Sequence, residues 1–236
     1  MTIHILATGT SRGIGRAIVE RFADEDVRIV GHRSSDGDDS TIAADLTETG
    51  VARRIWEQAL TMLDGRIDVL INNAGIFEAA SIDAPDISWS DAWARTMQVN
   101  LTAAAELCRF AVLHFRRHGG GRIVNVASRA AHRGDSPAHW HYAASKAGMV
   151  AMTKTIARGY AAENILAFAV CPGFTMTGMA EAYLESRGGD KLLADIPLGR
   201  VAYPEEVAET VRFLSLSAPP SMTGAVLDIN GASYVR

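Results

Sequence analysis

The stretch IHILATGTSRGIGRAIVERFADE, Ile3–Glu25, decides the fold. Ile3–Ala7 reads as a short buried strand, and Gly13–Asp24 carries the spacing of an amphipathic helix. Between them lies a turn that holds Gly9, Gly13 and Gly15. A strand feeding through a glycine-rich turn into a helix N-terminus aims backbone N–H groups and the positive end of the helix dipole at one point. That arrangement suits the phosphates of a dinucleotide. The spacing is GxxxGxG rather than the general GxGxxG fingerprint, so the position of the turn after the first strand carries the inference.

Outward from this unit, short β-branched runs alternate with longer helical patterns along most of the chain. Strands are expected at Ile3–Ala7, Val27–Gly31, Thr41–Ala44, Val69–Asn72, Arg122–Val126, Ile165–Val170 and Val226–Ile229. Helices are expected at Gly13–Asp24, Thr49–Leu63, Trp89–His118, Ala143–Tyr160, Thr177–Arg187 and Glu205–Ser215. The order predicts an α/β fold, a doubly wound parallel sheet with helices on both faces. No linker or fixed-period repeat interrupts it, so residues 1–236 are expected to form a single domain. Between Gly31 and Thr41 the sequence HRSSDGDDS is too short and too turn-rich for a crossover helix, and a loop is expected there.

The 236 residues are 48% apolar and 21% charged with a net charge of −4, without long like-charge blocks, which announces neither a nucleic-acid partner nor an anionic-membrane surface. A small-molecule partner is the default. The N-terminal MTIHILATGT lacks a basic region and a long apolar core, and no segment offers 18 uninterrupted apolar residues, so a cytoplasmic location is expected. Cys108 and Cys171 lie in separate apolar stretches and read as buried free thiols. No metal is expected from the scattered histidines, with His4, His32 and His114 fitting strand, loop and helix positions.

Within HYAASKAG, Tyr142 and Lys146 are spaced four apart in a helical segment and so share one face. A free phenol, with a pKa of about 10, transfers protons poorly near neutrality. An ammonium about 4 Å away, at an effective dielectric of about 20, stabilises the phenolate by on the order of 4 kcal/mol. The pair reads either as an acid–base catalyst or as ordinary helix surface.

With TGTSRGIG at Thr8–Gly15, AADLT around Asp45, NNAG at Asn72–Gly75, QVNLT around Asn100, NVAS at Asn125–Ser128, YAASK at Tyr142–Lys146 and PGFTMT at Pro172–Thr177, the chain resembles the classical short-chain dehydrogenase/reductase family over nearly its whole length. IPLGR, PEEVA and the terminal TGAVLDINGA fit as well. The resemblance implies a Rossmann-type fold and a reactive set of Ser128, Tyr142, Lys146 and Asn100. Tyr142 would supply a proton to the carbonyl oxygen that accepts hydride, and Ser128 would hold that oxygen. Lys146 would bind the nicotinamide ribose and lower the tyrosine pKa, and Asn100 would position a water. The implied cofactor contacts are Gly9, Ser11, Arg12, Gly13, Ile14, Gly15, Arg33, Asp45, Leu46, Asn72, Ala74, Gly75, Tyr142, Lys146, Pro172, Gly173, Thr175 and Thr177. Of these, Asp45 would meet the adenine, Asn72, Ala74 and Gly75 would wall the adenine ribose, and Thr175 and Thr177 would bond the carboxamide or a phosphate.

An acid at the end of the second strand suits NAD, whereas an arginine suits the 2′-phosphate of NADP. Arg33 stands there, with Arg12 in the glycine loop, so NADP(H) is favoured. Asp36, Asp38 and Asp39 in the shortened loop keep NAD(H) open. The segment SRAAHRGDSPAHWHY, Ser128–Tyr142, is one residue longer than the commonest family spacing; its Arg129, His132, Arg133, His139 and His141 read as contacts for an anionic substrate or as a solvated loop. Phe168 stands where relatives commonly carry asparagine and is expected in the core. Residues 176–195, with Met176, Met179, Tyr183 and Leu184, are expected to form a substrate lid. Helices Trp89–His118 and Ala143–Tyr160 have Ala-rich faces suited to a homodimer or homotetramer. The reading is an NADPH-dependent carbonyl reductase, within it a 3-oxoacyl-thioester reductase. The alternatives are an NAD-dependent secondary-alcohol dehydrogenase and a non-catalytic NADP(H) sensor.

Overall fold

The structure, a computed structural model, describes residues 2–35, 38, 40–177 and 193–236. Seven strands form one sheet: β1 (Ile3–Thr8), β2 (Val27–Arg33), β3 (Thr41–Ala43), β4 (Val69–Asn72), β5 (Gly121–Val126), β6 (Ile165–Pro172) and β7 (Val226–Ile229). Every pairing is parallel and the spatial order is β3-β2-β1-β4-β5-β6-β7. The order reverses between β1 and β4, so a crevice opens beyond their C-terminal ends, where the glycine turn and the NNAG turn emerge.

Among the described residues the α-helices are α1 (Gly13–Arg21), α2 (Val51–Met62), α3 (Asp86–Met97), α4 (Ala103–His118), the short α5 (Ala130–Arg133), α6 (Trp140–Tyr160) and α7 (Pro204–Arg212). They cover both faces of the sheet, so inner strands are buried on both sides: all eight residues of β6 are buried. Because side chains alternate along a strand, Ile5 and Leu6 enter different cores. Leu6, Leu70 and Ile123 pack with Ile55, Leu107 and Phe115 from α2 and α4. On the opposite face, Ile5, Ile71, Val124 and Phe168 pack with Ile18 of α1, Phe22 just after it, and Val207 and Val211 of α7. Phe168 is fully buried, as its place in an apolar strand predicts.

The expected helix Trp89–His118 is two helices, joined through a wider π-helical turn at Gln98–Thr102. This turn presents Asn100, whose carboxamide accepts from the Ile76 N–H at 2.8 Å and donates to the Ile76 carbonyl at 2.9 Å. Two good bonds to the backbone of one residue anchor the side chain in the widened turn. The α6 helix begins at Trp140, three residues before expectation, which places Tyr142 in its first turn. Strand β2 runs on to Arg33, so His32, expected in a loop, is a buried strand residue. Between β2 and β3 a short connection replaces the crossover helix, as expected, and Gly31 pairs in register with Thr41. Apart from Thr177 itself, the expected helix Thr177–Arg187 lies outside the described residues, as do Met179, Tyr183, Leu184, Asp36 and Asp39. Among the described residues no helix is long and apolar enough to cross a membrane.

Candidate active site

The glycine turn and the NNAG turn are stitched together. Asn73 donates from Nδ2 to the Thr8 carbonyl at 3.0 Å and the Gly9 carbonyl at 2.9 Å, and Thr8 Oγ1 accepts from the Asn73 and Ala74 N–H groups at 3.1 Å. A Cβ on Gly9, at φ +70°, would stand 2.7 Å from the Ala74 Cα, and one on Gly15 would stand 1.9 Å from the Gly9 carbonyl oxygen. Both positions therefore require glycine. His32 braces the same turn: Gly9 N–H donates to Nδ1 at 3.3 Å, and Nε2 meets the Ala44 carbonyl at 2.9 Å. Those partners specify the neutral Nε2–H tautomer, and burial lowers the ring's pKa.

No side chain caps α1, no acid lies in its first turn, and Ser11 and Arg12 are exposed beside it. An uncapped N-terminus behind a glycine turn fits a diphosphate, whose oxygens would accept from the first helical N–H groups. Ile14 packs partly against the second core. Arg33 ends β2 opposite Ala43, with Asp38 3.9 Å away. Asp45 accepts the Thr47 N–H at 2.9 Å, which holds its carboxyl below the ordinary range. The α2 helix starts at Val51 behind Gly50, so neither Asp45 nor the threonines near it serve as its cap. Leu46 packs its side chain in the core and its carbonyl accepts from Gln98 at 3.3 Å.

The Asn72 carboxamide points into the interior, donating to Asn125 Oδ1 at 2.9 Å. Thr8, His32 and Asn73, which the sequence reading passed over, hold the cradle instead. On the other side, Gly173 packs so closely on Asn230 that a Cβ would lie 2.8 Å from the Asn230 Cβ. Pro172 ends β6 and its carbonyl accepts the Arg129 N–H at 2.9 Å. Thr175 is buried, bonding the Gly173 carbonyl at 3.2 Å. The Thr177 methyl lies 3.0 Å from where a Gly13 Cβ would stand, so this segment spans from the Ser128 side to the glycine turn.

Ser128 follows β5, with its hydroxyl accepting the Ala130 N–H at 3.1 Å and near enough to the Tyr142 phenol to lower its pKa. Lys146, one turn beyond Tyr142, is buried, and its ammonium donates to the Val126 carbonyl at 2.9 Å. Asn100 Oδ1 and Lys146 Nζ both lie 3.4 Å from the position a Gly75 Cβ would take, so Gly75 joins the cradle to the reactive groups. Asn100 also donates to Ser145 Oγ at 3.3 Å, which in turn donates to the Tyr142 carbonyl at 2.7 Å.

The electrostatics correct one expectation. The Lys146 ammonium lies 5.8 Å from the Tyr142 ring centre, and burial outweighs its charge at the phenol. Burial pushes the Tyr142 phenol above its ordinary pKa, partly offset by the Ser128 hydrogen bond. Burial also lowers Lys146 to about 8. In the chain alone the phenol is thus held as an acid.

The polar segment after Ser128 divides. Arg133 and Arg129 pair with Asp195 at 2.7 and 3.5 Å, and Arg129 lies over the Phe174 ring. His141 is buried. His139 stacks on Phe77 at 3.9 Å, and Phe77 meets the Tyr142 ring edge-on at 4.8 Å, giving the site an aromatic wall.

Residues 9–232 match a family model described as enoyl-(acyl carrier protein) reductase. The 3-oxoacyl-[acyl-carrier-protein] reductase FabG of Thermotoga maritima is 35% identical over 244 residues, covering 98% of this chain and 97% of its own. Acetoacetyl-CoA reductase of Rhizobium meliloti is 31% identical, covering 97% of each. Among solved structures, ligand-free aldohexose dehydrogenase of Thermoplasma acidophilum superposes with a TM-score of 0.87 at 29% identity, covering 100% of this chain and 95% of that one.

Proposed function

The chain belongs to the short-chain dehydrogenase/reductase family and is an oxidoreductase; on that premise we propose that it reduces a 3-oxo group, in the first place that of a 3-oxoacyl thioester, to a secondary alcohol with NADPH. The observation that carries the reading is the convergence of Ser128, whose hydroxyl acts on the Tyr142 phenol to lower its pKa, with buried Lys146 one helical turn beyond Tyr142.

The bound nicotinamide supplies the hydride. Reduction leaves negative charge on the carbonyl oxygen, and the chain answers it with two neighbouring hydroxyl donors. Tyr142, kept protonated by burial, gives its proton to that oxygen. Ser128 donates to the same oxygen and holds it within reach of the phenol. Lys146 binds the ribose and brings positive charge toward the phenol, favouring the phenolate left after transfer. Asn100 holds the NNAG turn to the widened helical turn and positions the water that links Lys146 to solvent. Gly9, Ser11, Arg12, Gly13, Ile14 and Gly15 receive the diphosphate; Asp45 and Leu46 meet the adenine; Asn72, Ala74 and Gly75 line the adenine ribose; Pro172, Gly173, Thr175 and Thr177 hold the nicotinamide end. Arg33 and Arg12 pair with the 2′-phosphate.

Asp38, 3.9 Å from Arg33, favours a second reading on cofactor, in which a carboxylate accepts the unphosphorylated ribose of NAD(H). The 3-oxo substrate rests on the names of the relatives, and a homodimer or homotetramer in the cytoplasm completes the proposal. The test is cofactor consumption with acetoacetyl-CoA, a longer 3-oxoacyl thioester, an enoyl thioester and a simple ketone, and cofactor reduction with an aldohexose, each with both dinucleotides. Highest kcat/KM for a 3-oxoacyl thioester with NADPH is expected. Turnover confined to the enoyl thioester or the aldohexose would replace the substrate assignment.

A further inference from the structure

Beside the segment that follows Ser128, three residues far apart in sequence converge. His132 comes from α5, Cys171 from the end of β6 and Asp228 from β7, and their ligand atoms all lie within 4.8 Å of one another. We propose that His132, Cys171 and Asp228 form a zinc-class metal site that clamps the segment following Ser128 to the strand ends carrying the Pro172–Gly173 turn.

The geometry supports it. With Zn–S near 2.3 Å and Zn–N near 2.05 Å, tetrahedral coordination separates the sulfur and nitrogen by about 3.6 Å. His132 Nε2 and Cys171 Sγ are 3.6 Å apart. The ring lies parallel to that of Tyr234, with centres 5.8 Å apart and an interplanar angle of 2°. A thiolate, an imidazole and a carboxylate select zinc or cobalt over magnesium and calcium, which take oxygen ligands. Asp228 provides the entry, since it is the exposed member, whereas Cys171 is fully buried.

Two costs attend binding. The Cys171 thiol, pushed up to about 11 by burial, must release its proton to solvent as the metal–sulfur bond forms. Arg236, which pairs with Asp228 Oδ2 at 3.0 Å, must yield that oxygen; its side chain is one-third exposed and can turn to water. Burial holds His132 toward its neutral, ligating form.

The clamp's position gives it a consequence. His132 lies four residues after Ser128, Cys171 directly precedes Pro172, and Ile229, next to Asp228, accepts the Gly173 N–H at 2.9 Å. A metal here joins the substrate side and the nicotinamide side of the cleft through their scaffold.

The experiment is titration of the reduced, full-length protein with Co²⁺ alone, followed by its electronic spectrum, and with Zn²⁺ alone, followed by thermal midpoint. One equivalent of Co²⁺ is expected to give a thiolate-to-cobalt charge-transfer band, and Zn²⁺ to raise the midpoint. Cys171→Ala should abolish the band. His132→Gln, at a partly exposed position, and Asp228→Asn should each weaken binding at least about tenfold, the lower end of what an outer-shell partner alone costs. Cys108→Ala should leave the band in place. Absence of the band in the wild-type protein, or its survival in Cys171→Ala or at full affinity in His132→Gln, overturns the site.

Discussion

The ammonium of Lys146 donates to the carbonyl oxygen of Val126 at 2.9 Å, from a side chain that is 3% exposed. That single bond does not compensate burial, because the group's pKa falls from 10.5 to about 8. Relief of the burial is worth on the order of 3 kcal/mol, against about 1 kcal/mol for one hydrogen bond. Lys146→Met should therefore leave the thermal midpoint of the free chain unchanged or raise it, while kcat/KM falls by at least about 10²-fold. A midpoint several degrees lower with turnover retained would make the lysine structural. The wild-type sign follows from the same shift: the folded pKa lies below the unfolded one, so stability gained from this group appears as pH rises through about 8 toward 10.5.

Tyr142→Phe removes the proposed acid but keeps the ring that meets Phe77. Dinucleotide affinity measured by fluorescence should stay within a few-fold, while kcat drops by about 10²–10⁴-fold. Ser128→Ala should behave alike, since the serine acts on the same oxygen. Combining the two should cost far less than the product of the single losses, because both serve one transition-state oxygen. Additive losses in the logarithm of kcat would show that they act separately.

Arg33 discriminates the dinucleotides. A charge-assisted bond to the 2′-phosphate is worth about 1.5–3 kcal/mol, so Arg33→Ala should raise KM for NADPH by about 10- to 100-fold and leave NADH within a few-fold. Asp38→Asn should move the preference further toward NADPH by removing the nearby carboxylate. Equal effects on both cofactors would overturn the phosphate assignment.

Much of this was legible in the sequence because it depends on order and period. The four-residue spacing put Tyr142 and Lys146 on one helical face, and the glycine turn after the first strand marked the crevice. What was not legible depends on side-chain direction and on meetings between distant residues. Asn72 and Asn73 are adjacent and chemically identical, yet alternation sends one into the core and the other onto the glycine turn. The π-helical turn around Asn100 leaves the helical pattern of the sequence intact and shows only in the bonds to Ile76. His132, Cys171 and Asp228 fit no ligand spacing because α5, β6 and β7 bring them together only in the fold. The tyrosine's acidity was misjudged for a related reason: spacing gives a shared face, but not where the lysine ammonium goes, nor how deeply the phenol is buried.

Asn73 offers a test of whether the stitched turns matter to binding. Its Nδ2 serves the carbonyls of Thr8 and Gly9. Asn73→Ala leaves both acceptors without that donor and should cost about 1–3 kcal/mol of stability in chemical denaturation. It should also raise KM for whichever dinucleotide is used, with kcat changed less, because the cradle loosens while Ser128 and Tyr142 stay in place. A fall in kcat at constant KM would contradict this division.

His114 should dominate the acid side of the stability profile. Its Nε2 accepts the Ile67 N–H at 3.2 Å, which requires the neutral ring, and burial with neighbouring His118 lowers its pKa from 6.5 to about 4. The folded value lies below the unfolded one, so the unfolded chain binds more protons between them and stability falls as pH drops from about 6.5 to about 4. The loss is at most about 3 kcal/mol. His32, lowered by burial and holding Gly9 and Ala44 through its neutral form, adds a term of the same sign. The check is the thermal midpoint from pH 7 to pH 4 for the wild-type protein and for His114→Gln. The wild-type midpoint should decline across this window, and the glutamine variant, with no proton to gain, should start lower and decline less steeply. Parallel slopes would move the acid sensitivity to His32 and to the paired carboxylates, among them Glu206, whose pKa the Arg200 ion pair holds at about 2.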